Sequence, residues 1–217
     1  VVIPLHQISI AALIIALGLS NQQVAIYSNL APALFILPYF LFSATAGQIA
    51  EKYEKAALIR ITTAMEIGIM SVAAVGFVMG WPALLLVVLF LTGLQSTLFG
   101  PVKYSILPQV LRPEELTGGN GLIEMITSIS ILLGMITGIV LLMDSASGPA
   151  YAAVAVIALA VIGHLVSRAI PRAPAGAPDL EVSWVPVKET LGVMRLMRKQ
   201  AAVRNAVQNR RGPLFLA

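Results

Sequence analysis

The sequence predicts an all-α membrane protein, a bundle of six transmembrane helices. Three observations carry that prediction. The 217-residue chain is 58% hydrophobic and 11% charged, with a mean hydropathy of +0.90, whereas a soluble domain carries about 25% charged residues. Several uncharged apolar runs approach about 20 residues, the length that crosses a roughly 30 Å hydrocarbon core at 1.5 Å per residue. The runs are continuous, without the period-2 alternation of a membrane barrel, so helices are the remaining way to satisfy every backbone polar group in lipid.

The spans follow in order along the chain. Residues 1–19 form the first apolar run, ended by the polar SNQQ at 20–23. The chain begins at Val1 with no basic segment before this run. That is expected of a fragment or trimmed product with a shortened first helix, and it is not an intact signal peptide. Residues 24–46 form the second span and contain Pro32 and Pro38; residues 57–79 form the third. Gly80, Trp81 and Pro82 make a tight turn, with Trp81 placed like an interface aromatic. The fourth span covers about 83–107, and the polar RPEELTGGN at 112–120 is expected to be a loop, with Gly118, Gly119 and Asn120 as turn and helix cap. Spans five and six are 121–143 and 150–166, separated by a short loop.

Charge placement orients the bundle. The segment GQIAEKYEKAALIR at 47–60 gathers five charges between two apolar runs. If the loops alternate sides, this segment, residues 103–120 and everything from Arg168 onward share one side, and all 14 Lys and Arg fall there. The positive-inside rule makes that side cytoplasmic. Residues 1–170 thus read as the transmembrane bundle and 171–217 as a cytoplasmic linker, opening with the Pro/Ala-rich PRAPAGAP. Within it Val187, Leu191 and Met194 share a helical face beside Lys188, Arg195, Arg198 and Lys199. That pattern fits either a basic amphipathic helix on the anionic membrane surface or a solvated linker helix. The net charge of +4 is accounted for by this sidedness, and no nucleic-acid partner is expected.

A few polar residues stand inside the apolar runs. Glu66 lies nine residues into its span, about 13 Å of helix rise, where an unpaired charge costs at least about 2.5 kcal/mol. It is either a proton or substrate site or, the reading favoured here, a structural hydrogen-bonding group. Lys103 near the end of span four and Glu124 near the start of span five reach similar depth and are expected to pair. Lys103 could meet an anionic head group as a point charge or snorkel to the interface. Pro101 and Pro108 are expected to break the helix around it. Gly134 and Gly138 in span five suit close helix packing. His6 and His164 have no second ligand at metal spacing and read as structural. With no cysteine, disulfides and thiolate metal sites are excluded; no metal or cofactor is expected. No phosphate loop, nucleophile elbow, HExxH or acyltransferase His-x4-Asp pair is present, so the chain is not expected to be an enzyme.

The charged segment at 47–60 resembles the cytoplasmic loop motif G-x-L-A-D-R-x-G-R-R/K of the major facilitator superfamily, found between spans two and three. Gly47, Ala50, Glu51, Lys52 and Lys55 fit; Ile49 stands for Leu, Glu51 for Asp, and Glu54 occupies the motif's second Gly. FLFSATAGQIAEKYEKA (40–56) and FGPVKYSILPQVLRPEELTGGNGLIEM (99–125) resemble the lysophospholipid transporter branch. The resemblance implies the amino-terminal half of a twelve-helix transporter, working with a carboxy-terminal half beyond this chain. It implies a gating role for Glu51 and flipping of lysophospholipid, in particular lysophosphatidylethanolamine, across the bacterial inner membrane for reacylation. Glu66, Lys103, Tyr104 and Glu124 are then the candidate substrate-facing polar network. The alternatives are a drug or metabolite exporter of the same fold and the membrane anchor of a fused phospholipid acyltransferase.

Overall fold

The computed structural model describes residues 21–142 and 147–182, with Gly192. Among them every regular element is helical: α1 (Asn21–Lys52), α2 (Lys55–Met79), α3 (Pro82–Ser105), the short α4 (Leu107–Val110), a 3-10 turn (Pro113–Glu115), α5 (Leu116–Leu142) and α6 (Gly148–Ser167). Five stretches are long and apolar enough to cross a membrane. The expected first span at 1–19, His6 and the basic helix beyond 183 lie outside the described residues.

Each turn has a local cause. α2 ends in a Schellman motif: Gly80 takes the left-handed conformation (φ 61°), its N–H donates to the Phe77 carbonyl and the Trp81 N–H to that of Gly76. Pro82 opens α3, where its missing N–H costs nothing. The α1–α2 connection is tighter than the expected 47–60 loop: helix runs to Lys52 and resumes at Lys55. The charges therefore sit on helix ends, and Lys55 is 2% exposed rather than solvated.

Two further expectations are corrected. Pro101 lies within α3, and the chain breaks only around Ile106, between α3 and α4. The segment 112–120 is not a loop. The Arg112 N–H donates to the Glu115 carboxylate at 3.0 Å, which caps the 3-10 turn that runs directly into α5. Gly118, Gly119 and Asn120 are therefore helical. At Gly119 the Leu111 side chain packs where a Cβ would stand, 2.3 Å from its terminal carbon, so a larger residue there would displace that leucine.

The bundle is organised around α2 and α3. α1 packs along α3, and α2 packs between α3 and α6; α5 is held mainly by α6 and by the short α4 and 3-10 segments. At the α1–α3 crossing, Gly93 lets the backbones meet, because a Cβ there would stand 2.3 Å from the Phe35 carbonyl oxygen. The core joins Met70, Ala73 and Phe77 of α2 to Leu85, Val88 and Leu89 of α3 and Ala153, Val156 and Ala160 of α6. The alanines permit close approach, the usual means of helix association in lipid, where apolar surface alone gives no preference for protein over tails. Gly134 and Gly138 are both buried on α5. A second cluster, Ala50, Ile59, Val102, Ile106 and Ala173, closes the end of the bundle that carries the charged residues.

Candidate functional site

Among the described residues, α2, α3, α5 and α6 line a partly open cavity of about 450 Å³. Its walls are mostly apolar, with Phe99, Ile126, Leu159, Ile162 and Val166 prominent. A few polar groups converge on it: Thr63 and Glu66 from α2, Gln95 and Lys103 from α3, Thr127 and Ser130 from α5. That combination, an apolar chamber with sparse polar anchors, is the usual form of a small-molecule site.

Lys103 is the best-defined of these anchors. Antiparallel α3 and α5 bring it to Glu124, with Nζ 3.9 Å from Oε1. The ammonium also donates to Thr127 Oγ1 at 3.5 Å and lies 4.8 Å from the centre of the Tyr104 ring. The Tyr104 hydroxyl donates to the same Glu124 oxygen. The Lys103 side chain is 22% exposed and that of Glu124 59%. Lys103 thus points inward and is partly desolvated, while Glu124 keeps contact with the exterior. An ammonium whose partner sits at this distance on one side retains donors for an incoming anion on the other.

Glu66 faces the same cavity from α2. The reading favoured from sequence, a structural hydrogen bond, has no support among the described residues: no hydrogen bond or ion pair of its side chain is found there. Neighbouring polar groups are engaged. Gln95 Nε2 donates to the Thr62 carbonyl at 3.3 Å. Thr63 Oγ1 lies 3.2 Å from His164 Nδ1 and 3.1 Å from Ser167 Oγ, which makes His164 a bridge between α2 and α6. Sequence reasoning missed Gln95, Thr127 and Ser130. The available signal was polar residues three or four apart within apolar runs, since Gln95, Phe99 and Lys103 share one face of α3, as Thr127 and Ser130 do on α5.

The α1–α2 turn is a separate polar centre at the charged end. Glu54 pairs with Arg60 at 3.8 Å, and Lys52 lies 5.9 Å from the Tyr53 ring centre. Glu51 and Lys55 both approach Gly176: a Cβ at that glycine would be 2.3 Å from Glu51 Oε2 and 3.7 Å from Lys55 Nζ. Among the described residues nothing lies within 4 Å of where a Cβ at Gly47 would stand, so none of them demands glycine there. The structure brings Glu51 and Lys55 together, and Lys103, Tyr104 and Glu124 together, in two distinct places.

Comparison with known proteins agrees with this architecture. The chain is 32% identical over 155 residues to the lysophospholipid transporter LplT of Serratia proteamaculans (strain 568), covering 70% of this chain and 35% of that protein. It is 30% identical over 152 residues to the protein of the same name from Salmonella newport (strain SL254). The chain thus spans about a third of the length of the curated relatives it matches. No solved structure matches it. The sequence model of the Major Facilitator Superfamily matches residues 6–215, and with five apolar helices long enough to span a bilayer the chain is an integral membrane protein that belongs to that superfamily.

Proposed function

We propose that this chain is the amino-terminal bundle of a secondary transporter that moves lysophospholipid across the bacterial inner membrane. The observation that carries this reading is the cavity in which Lys103 and Glu66 face one mostly apolar chamber. A lysolipid such as lysophosphatidylethanolamine bears a phosphate, an ammonium and a single acyl chain. Lys103 suits the phosphate, Glu66 the ammonium, and the apolar wall the acyl chain. A simple cationic drug would use Glu66 and be repelled by Lys103, which favours the lipid over a general exporter.

The charged end faces the cytoplasm, because that arrangement puts the Lys and Arg residues on the inner side. A second bundle, outside this chain, completes the pathway, with the substrate held between bundles as they rock. Glu51, on the α1–α2 turn, belongs to the charge network that closes the cytoplasmic side. Residues 1–170 form the bundle and residues from 171 the cytoplasmic linker.

The direct test is a leaflet-translocation assay on the intact protein in proteoliposomes, supplied with lysophosphatidylethanolamine or a lipophilic cation. Faster inward movement of the lysolipid alone supports the reading. Selective movement of the cation would replace it with an exporter.

A further inference from the structure

The chain does not leave the bundle where α6 ends. Residues 170–177 turn back across the α1–α2 connection and are tied to it. The Lys55 N–H donates to the Ala173 carbonyl at 2.9 Å, and the Ala177 N–H donates to the Glu51 carbonyl at 3.0 Å. The Ala173 N–H donates to Glu54 Oε1 at 3.1 Å. From α4, Gln109 Nε2 donates to the Pro174 carbonyl at 3.1 Å. Pro171, Pro174 and Pro178 restrict the backbone of this stretch and reduce the entropy lost on docking. Ala173 is 1% exposed and packs with Ala50, Ile59, Val102 and Ile106. One short segment therefore fastens α1, α2, α3 and α4 at the same end.

What lies beneath the strap is unusual. Lys55 is 2% exposed yet forms no ion pair among the described residues. A buried ammonium is costly without compensation. The end of the exposed Glu51 side chain reaches the same spot, lying over Gly176 where a Cβ would stand. A solvated loop would leave Lys55 in water, as Glu51 is.

We infer that residues 170–177 are a latch that sets the state of the α1–α2 turn. Docked, the latch buries Lys55 and confines the Glu51 carboxylate over Gly176. Undocked, it releases Lys55 to water, removes Gly176 from beside the already exposed Glu51, and frees the ends of four helices from one another. The chain that continues past 178 thereby gains a mechanical connection to Glu51 and Lys55. The consequence for transport rests on the proposed gating role of that turn; the docking itself does not.

This chain has no cysteine, so Ala173→Cys supplies a single reporter once any cysteine of the second bundle has been replaced. In vesicles that expose the cytoplasmic face of the intact protein, this thiol should react slowly with a membrane-impermeant maleimide. Adding Ala177→Pro, which removes the N–H that donates to the Glu51 carbonyl, should accelerate labelling by roughly fivefold or more, the population change expected from losing about one net hydrogen bond. Glu54→Ala, which removes the acceptor of the Ala173 N–H, should do the same by an independent route. Ala153→Cys, buried in the core cluster, should stay unreactive in each background, which separates undocking from unfolding. Unchanged labelling in both variants overturns the latch, whatever transport does. Accelerated labelling with an altered lysolipid flux supports latch and gate together. Accelerated labelling with normal flux supports the latch and removes the gating role of the turn.

Discussion

Gly93→Ala tests whether the α1–α3 crossing is set by backbone contact. The new Cβ would stand 2.3 Å from the Phe35 carbonyl oxygen and 3.1 Å from its carbon. Both are backbone atoms and cannot rotate away. An ordinary C···O contact is about 3.3 Å or longer, so α1 must retreat by roughly 1 Å at the crossing. A gap of that size forfeits about a quarter to a half of the attraction of each affected atom pair, and overpacking costs about 1–3 kcal/mol. Helix propensity works the other way, since replacing a mid-helix glycine by alanine gains about 1 kcal/mol. Gly68→Ala isolates that gain, because Gly68 sits mid-α2 and a Cβ there would meet none of the described residues within 4 Å. The steric cost is the difference between the two variants, expected at about 1–3 kcal/mol against Gly93→Ala. Equilibrium unfolding of the purified protein in mixed detergent and SDS micelles measures both. Stabilities within about 0.5 kcal/mol of each other would show that the crossing has slack, and the reasoning would fail.

Three other outcomes are expected. Gly80→Ala should destabilise by about 1–2 kcal/mol in the same assay, because its left-handed backbone (φ 61°) opposes any Cβ. Lys103→Met should raise the KM for lysophosphatidylethanolamine roughly tenfold, the worth of a charge-assisted hydrogen bond of about 1.5 kcal/mol, measured as initial flux in proteoliposomes. Glu66→Gln should raise the KM by a similar factor for that lipid and leave an amine-free lysophosphatidylglycerol unaffected, if the carboxylate receives the ammonium; equal effects on both lipids would contradict the assignment.

The spans could be read from sequence because lipid imposes one simple rule on long apolar runs, and charges mark where the runs end. The meeting of Lys103 and Glu124 was legible for the same reason: both are counted from one short connection, so antiparallel helices bring them to equal depth. The details near that end were not legible, because they depend on partners far away in sequence. RPEELTGGN has the composition of a loop, yet the Glu115 cap and the Leu111 contact at Gly119 hold it helical. Pro101 removes one donor from α3 without breaking it, since the rest of that helix is fixed by α1 and α2. PRAPAGAP has the composition of a free linker, and nothing in its own pattern announces that Ala173 packs beneath Ile106 or that Gly176 adjoins Glu51. Gln95, Thr127 and Ser130 were passed over because uncharged polar residues are common in membrane helices, and only the fold gathers these around one chamber.

The way the helices are held marks the side by which the proposed lipid would enter. α2 is fixed on two sides by the core cluster shared with α3 and α6. α5 adds none of its residues to that cluster and depends on α6 and on short connecting segments. The cavity lies where α5 faces α3, α2 and α6. Displacing α5 sideways would therefore open the chamber while leaving the core intact, and moving elements are drawn from the least stable parts of a fold. Breaking the Lys103 to Glu124 contact would be part of that movement, since it is the one ion pair between α3 and α5 among the described residues. Hydrogen exchange of the intact protein in lipid nanodiscs offers a check. Peptides from 116–130 should exchange faster than peptides from 62–77, although both lie in apolar helices of similar length. Equal protection would mean that α5 is locked by contacts beyond those described, and lateral entry beside it would have to be abandoned.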